Sequence, residues 1–147
     1  AVVAVAVCNS AHFYSICSIF SYAGFLAVDC GWAADEDTAG WVAGLLPTFL
    51  ILGRLPTATA WGVVADRFGR KPSIMISMAS VALGNLLFGI TTNLWLALAV
   101  RFVLLGALNG FVTLMGMCCL EIGGAHRQAE VFSRVIALGG IVGTFGP

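Results

Sequence analysis

Polar residues are scarce along this chain, and apolar ones come in long blocks rather than at the intervals of a half-exposed helix or strand. Four blocks stand out, at residues 5–28, 41–64, 73–90 and 94–120, and a fifth starts near Val131 and runs to Pro147. A helix needs about 20 apolar residues to cross the hydrocarbon core of a bilayer. The pattern therefore predicts an all-α, polytopic transmembrane helix bundle with four complete spans and a truncated fifth at 131–147. Polar positions interrupt the first block at Asn9, Ser10, His12, Ser15, Ser18 and Ser21. Arg54 interrupts the second block, and Arg101 and Asn109 the fourth. Only Thr91, Thr92 and Asn93 separate the third block from the fourth, which predicts a tight antiparallel hairpin. Pro72 stands where the third span opens, a position at which a helix tolerates proline.

Composition strengthens this reading. Soluble domains carry about 25% charged residues, whereas this chain has 10%, with 60% hydrophobic residues and zero net charge. Seven bases in 147 residues are too few and too scattered to track a phosphate backbone, so nucleic acid is excluded as a partner. The bilayer is the expected solvent. Charge in the connections sets the orientation. The first connection holds Asp29, Asp35, Glu36 and Asp37 and no base; the second holds Arg67, Arg70 and Lys71; the third is uncharged; the fourth holds Arg127 and Arg134. Bases alternate with the connections as the positive-inside rule requires. Residues 65–72 and 121–130 are thus expected on the cytoplasmic side and the acidic connection outside, in a plasma or vacuolar-type membrane that the sequence does not distinguish.

Five cysteines lack the paired spacing of a metal site, and packing residues are the expected reading; no metal and no cofactor are expected. Gly106 and Gly110, and again Gly139 and Gly143, are four apart, the spacing that lets membrane helices approach closely. The chain begins at Ala1 inside an apolar run and ends inside another, which suggests a sequence cut at both ends.

The stretch "WGVVADRFGRKP" places Asp66, Arg67, Arg70 and Lys71 within six positions. Anchoring to an anionic leaflet accounts for the bases, but not for Asp66, Gly62 or Gly69. Gly62, four residues before Asp66, would clear space for another helix on that face, and Gly69 would permit a turn. The spacing G-x-x-x-D-R-x-G-R-K resembles the loop signature of the major facilitator superfamily. That resemblance implies a conformational latch made of Gly62, Asp66, Arg67, Gly69, Arg70 and Lys71, with Glu121 at the end of the fourth span as the acid that receives its arginine.

"EDTAGWVAGLLPTFLILGR", "RFVLLGALNG" and "LEIGGAHRQA" are similar to the zinc-induced-facilitator-like carriers, and the likeness covers residues 36–147. It implies the N-terminal half of a major-facilitator fold, a small-molecule or ion substrate, and a partner in the missing C-terminal half of the same carrier. Two positions depart from the pattern. Arg101 precedes Gly106 by five residues instead of four, so one extra residue turns that helix face. In the fifth span Gly146–Pro147 is similar to the antiporter signature, but Val142 occupies a position where glycine is expected.

An arginine at the bilayer centre costs at least about 2.5–3.5 kcal/mol, so Arg54 and Arg101 require a reason. Both are candidates to face a central pathway and offer positive charge to an anionic or chelated substrate, although Arg101 is near enough to the outer surface to snorkel. His12 either relays protons or is held neutral by hydrogen bonds, and Asn109 joins these as a candidate pathway residue. Secondary active transport, with proton coupling and alternating access, is the function this combination implies. A non-transporting receptor or scaffold retaining a carrier fold is the alternative. The sequence has no H-E-x-x-H, G-x-S-x-G or Walker motif, so an enzyme is not expected.

Overall fold

The computed structural model describes residues 2–145; the side chains of Glu36, Ala125 and residues 142–145 lie outside that description. Everything regular in it is helical: α1 (Val2–Asp29), α2 (Glu36–Phe68), α3 (Arg70–Ile90), α4 (Leu94–Val100), a π-helical segment (Arg101–Ala107) and α5 (Phe111–Phe145). Among the described residues four helical stretches are long and apolar enough to cross a membrane: Val2–Asp29, Asp37–Phe68, Arg70–Ile90 and Leu94–Gly124. The predicted bundle is present: the first three predicted spans lie inside α1, α2 and α3, the fourth is interrupted, and the fifth runs past the described residues.

α1 buries one stripe, Ala6, Asn9, His12, Ile19, Ala23 and Ala27, at the three-, four- and seven-residue intervals of a single helix face. Its main partner is α5, where Asn9 Nδ2 donates to the Val135 carbonyl at 3.0 Å and Gly139 lies against the same amide. α3 turns small residues inward, with Ser73, Ser77, Ser80 and Gly84 buried, which is how helices approach one another where lipid offers no hydrophobic drive.

α5 does not run straight. Gly124 has φ 59° and ψ −174°, a left-handed backbone that residues with a Cβ resist. Met115, Cys119, Val131 and Val135 then share one apolar cluster. On a straight helix Cys119 and Val135 would be about 24 Å apart, so the chain folds back at Gly124. The predicted connection at 121–130 is consequently not an irregular loop: it is helical on both sides of this one residue.

The fourth span corrects the sequence reading more sharply. A single helix over 94–120 was expected, yet the chain passes from α4 into a π-helix and then stops at Leu108–Gly110 before α5 begins. Leu108 N donates to Val103 O at 2.9 Å, the i→i+5 bond that takes one residue more per turn than α-helix. A turn of this kind has room for the extra residue that the resemblance implies between Arg101 and Gly106. Gly106 and Gly110 are therefore not on one continuous helix, yet both still face α2. A Cβ on Gly106 would sit 2.7 Å from Leu50 O and 3.0 Å from Gly53 Cα, whereas one on Gly110 would strike the Trp61 ring.

The two ends of the bundle are tied differently. At one end the first and third connections meet where Trp32 Nε1 donates to Thr92 O at 2.6 Å. At the other, Gly69 (φ 94°) is the whole link between α2 and α3, as expected of a turn there. Pro72 is the third residue of α3 rather than its first. Gly146–Pro147 lie outside the described residues.

Candidate functional site

Side chains from three other helices meet the break in the fourth span. A membrane interior has no water to satisfy the backbone groups that a broken helix releases. Trp61 Nε1 of α2 donates to Ala107 O at 2.9 Å. Ser80 Oγ of α3 donates to Leu108 O at 3.1 Å. Asn109 Oδ1 accepts from Phe111 N at 3.3 Å, as an N-cap does, and from Ser77 Oγ at 3.3 Å. From α1, the His12 ring lies on Phe111, with centroids 4.7 Å apart and planes at 30°.

Around this mended break several polar atoms stay buried without a hydrogen-bond partner among the described residues: both His12 ring nitrogens, Asn109 Nδ2, Arg54 Nε and Nη2, and Arg101 Nε. His12 lies within electrostatic reach of Arg54. Arg101 is 2% exposed and holds its guanidinium 4.5 Å from the Phe88 ring centroid, with Tyr22 as its electrostatic neighbour. It does not snorkel; the π-helical turn aims it inward. Apart from His12, which has one donor and one acceptor nitrogen when neutral, the unmet atoms are all donors, and three of them belong to two cations. Such a constellation can accept a group rich in oxygen lone pairs.

A second polar group closes the basic end. Arg70 Nη1 meets Asp66 Oδ1 at 3.0 Å, and its Nη2 meets Glu121 Oε1 at 2.5 Å. One guanidinium thus joins the end of α2, the start of α3 and the end of the first α5 arm. Arg67 instead lies over the Phe68 ring, 5.6 Å from its centroid. Partly exposed ion pairs contribute little stability, so this one matters as a link between helices. Farther along, Arg127 and Arg134 both grip Glu130, at 3.2 Å and 2.6 Å. The Arg127 hydrogen bond, aided by the Arg134 charge, holds the Glu130 carboxyl below the usual range.

The signature around Gly62–Lys71 and the helix count lead to the same family, and its model matches residues 3–147 under the description Major Facilitator Superfamily. The chain belongs to that superfamily. Among curated facilitators and related proteins it is 39% identical over 132 residues to Protein ZINC INDUCED FACILITATOR-LIKE 1 of Arabidopsis thaliana, covering 90% of this chain and 27% of that protein. To Protein ZINC INDUCED FACILITATOR 1 of the same plant it is 38% identical, with the same coverage. To the Efflux pump azaK of Aspergillus niger it is 28% identical over 131 residues, 88% of this chain and 27% of the pump. The chain thus spans about a quarter of the length of these relatives. No solved structure matches it. It is an integral multi-pass membrane protein of the facilitator class.

Within this facilitator the structure gathers His12 and Asn109 about Phe111, brings Arg54 within range of His12, and sets Arg101 against Phe88. It joins Asp66, Arg70 and Glu121, while Arg67 and Lys71 stand outside that ion pair. At Gly62 a Cβ would meet nothing within 4 Å among the described residues, so no described helix uses the space that glycine leaves. Sequence reasoning missed Trp61, Ser77, Ser80, Phe88 and Phe111. Ser73, Ser77 and Ser80 carried a usable signal, since intervals of four and three put them on one face. The two phenylalanines carried none.

Proposed function

We propose that this facilitator is a secondary active transporter that moves a small anionic or chelated solute by alternating access, with proton coupling. It acts together with a C-terminal half that supplies the second wall of the pathway, and the segment described here is not competent alone. One observation carries the reading: Arg54 and Arg101 lie within the spans with unpaired buried donors and no acidic partner among the described ion pairs. Two such cations at membrane depth are costly without a role in a pathway. The relatives add direction, since one is named an efflux pump, which favours export. The Asp66–Arg70–Glu121 group supports a latch that holds one conformation by tying three helix ends and is released when they separate.

Replacing Arg54 with leucine in the full-length carrier should abolish transport in reconstituted vesicles while leaving membrane insertion intact. Unchanged flux would remove Arg54 from the pathway.

A further inference from the structure

Arg101 and the first connection stand at the two ends of one row of side chains. The Arg101 guanidinium takes part in none of the described ion pairs. It lies 4.5 Å from the centroid of the Phe88 ring, within the range at which a ring attracts a cation. Phe88, buried near the end of α3, meets Trp32 edge-on, with centroids 6.5 Å apart and planes at 66°, an arrangement that aromatic pairs favour. Trp32 Nε1 in turn donates to Thr92 O at 2.6 Å. The row runs from a cation inside the fourth span, through α3, to the acidic side of the bundle.

The outer end of the row is fixed by the way α1 stops. Gly31, at φ 67°, donates to Val28 O at 2.9 Å, and Trp32 N reaches back to Ala27 O at 2.8 Å. These two bonds make a Schellman ending, which folds the second residue past the helix onto its last turn. Trp32 accordingly packs on a cluster of Ala27 with Ala39 and Val42 of α2. A tryptophan near a membrane surface is ordinarily an interfacial anchor. Trp41 and Trp95, on the same side, fit that role at 80% and 76% exposed. Trp32 differs: it is half-buried and its indole N–H is satisfied by the protein. We propose that Trp32 is a positioning residue for Arg101, holding the Phe88 ring so that the guanidinium keeps its place in the bundle. Without the indole, Phe88 is free to turn and the cation loses its fixed surface. The functional meaning of this assignment rests on the transport reading, in which Arg101 faces the pathway; the contact row does not.

The test needs no transported solute. Full-length protein in nanodiscs is treated with phenylglyoxal, which condenses with guanidinium groups, and peptide mass spectrometry follows the modification of Arg101 and Arg54. Arg54, which lies toward His12, is the reference for general loosening of the bundle. Trp32→Leu should speed modification of Arg101 about tenfold and leave Arg54 unchanged. Trp32→Phe, which keeps a ring against Phe88, should stay within about twofold of the parent protein. A tetrafluorinated phenylalanine at position 88 keeps the shape of the ring but weakens its attraction for a cation. It should speed Arg101 modification likewise, without either Trp32 variant having to fold. Equal acceleration at Arg54 and Arg101 would make Trp32 a general packing residue, and no acceleration at Arg101 would mean that the row does not hold it. Either result overturns the proposal. If labelling behaves as expected but Arg101→Leu leaves flux intact in the vesicle assay, the positioning stands and the pathway role of Arg101 fails.

Discussion

α2 and the fourth span cross the same bilayer side by side, and the one that ought to break does not. α2 contains Pro47 and Pro56 and runs unbroken from Glu36 to Phe68. The fourth span has no proline, yet turns π and then stops. Each proline removes one backbone bond. Thr48, immediately after Pro47, donates to Gly44 O at 2.7 Å, and Thr57, after Pro56, donates to Arg54 O at 3.2 Å and Gly53 O at 3.3 Å; these bonds stay within α2, beside the carbonyls the prolines vacate rather than on them. In the fourth span the disturbance goes with the neighbours: the close approach of Gly106 to Gly53, and donors from α2 and α3 that take up the carbonyls the break releases. Helix interruption in this bundle follows from packing more than from helix propensity.

The strongest way to break the comparison is Gly106→Leu. With α2 backbone 2.7–3.0 Å from the new Cβ, the helices must separate, at a cost of about 3 kcal/mol, seen as a large drop in thermal unfolding temperature in detergent. Trp61→Phe keeps the ring but leaves Ala107 O unmet, and should cost about 1–2 kcal/mol in the same assay. Thr57→Val removes the corresponding donor in α2 and should cost about 0.5 kcal/mol. If Thr57→Val proved as damaging as Trp61→Phe, the contrast between local and tertiary repair would fail.

The smallest effect concerns pH at the basic end. Glu130 is depressed in the folded state by Arg127 and then Arg134, so its contribution is present above the ordinary glutamate range. It is lost as pH falls through the depressed value. A shallow loss of thermal stability on acidification, flattened by Glu130→Gln, is the expected result. No change with Glu130→Gln would mean that the triad carries no stability.

The legible parts were those set by solvent. Apolar blocks and alternating loop charge gave span number and relative ends, because lipid and leaflet act on composition. Arg54, Arg101 and His12 stood out because charge and polarity in hydrocarbon are conspicuous by cost alone. What the sequence could not display was tertiary. The surplus residue before Gly106 was visible, but whether it would twist the whole helix or be absorbed in a π turn depended on where Leu50, Gly53 and Trp61 stood. Gly62 shows the same limit: a glycine clears space, and among the described residues nothing occupies it. Gly124 looked like one of eighteen glycines until its φ made it the reversal point.

Arg54 and Arg101 also sit inside the transmembrane electric field. Among the described residues neither has a carboxylate to cancel it. A charge carried across the full field exchanges about 2.3 kcal/mol per 100 mV. Any tilt of this half that shifts the two guanidinium groups along the bilayer normal is therefore an electrical event as well as a mechanical one. A voltage across the bilayer pulls both guanidinium groups in the same direction and so acts on any such tilt.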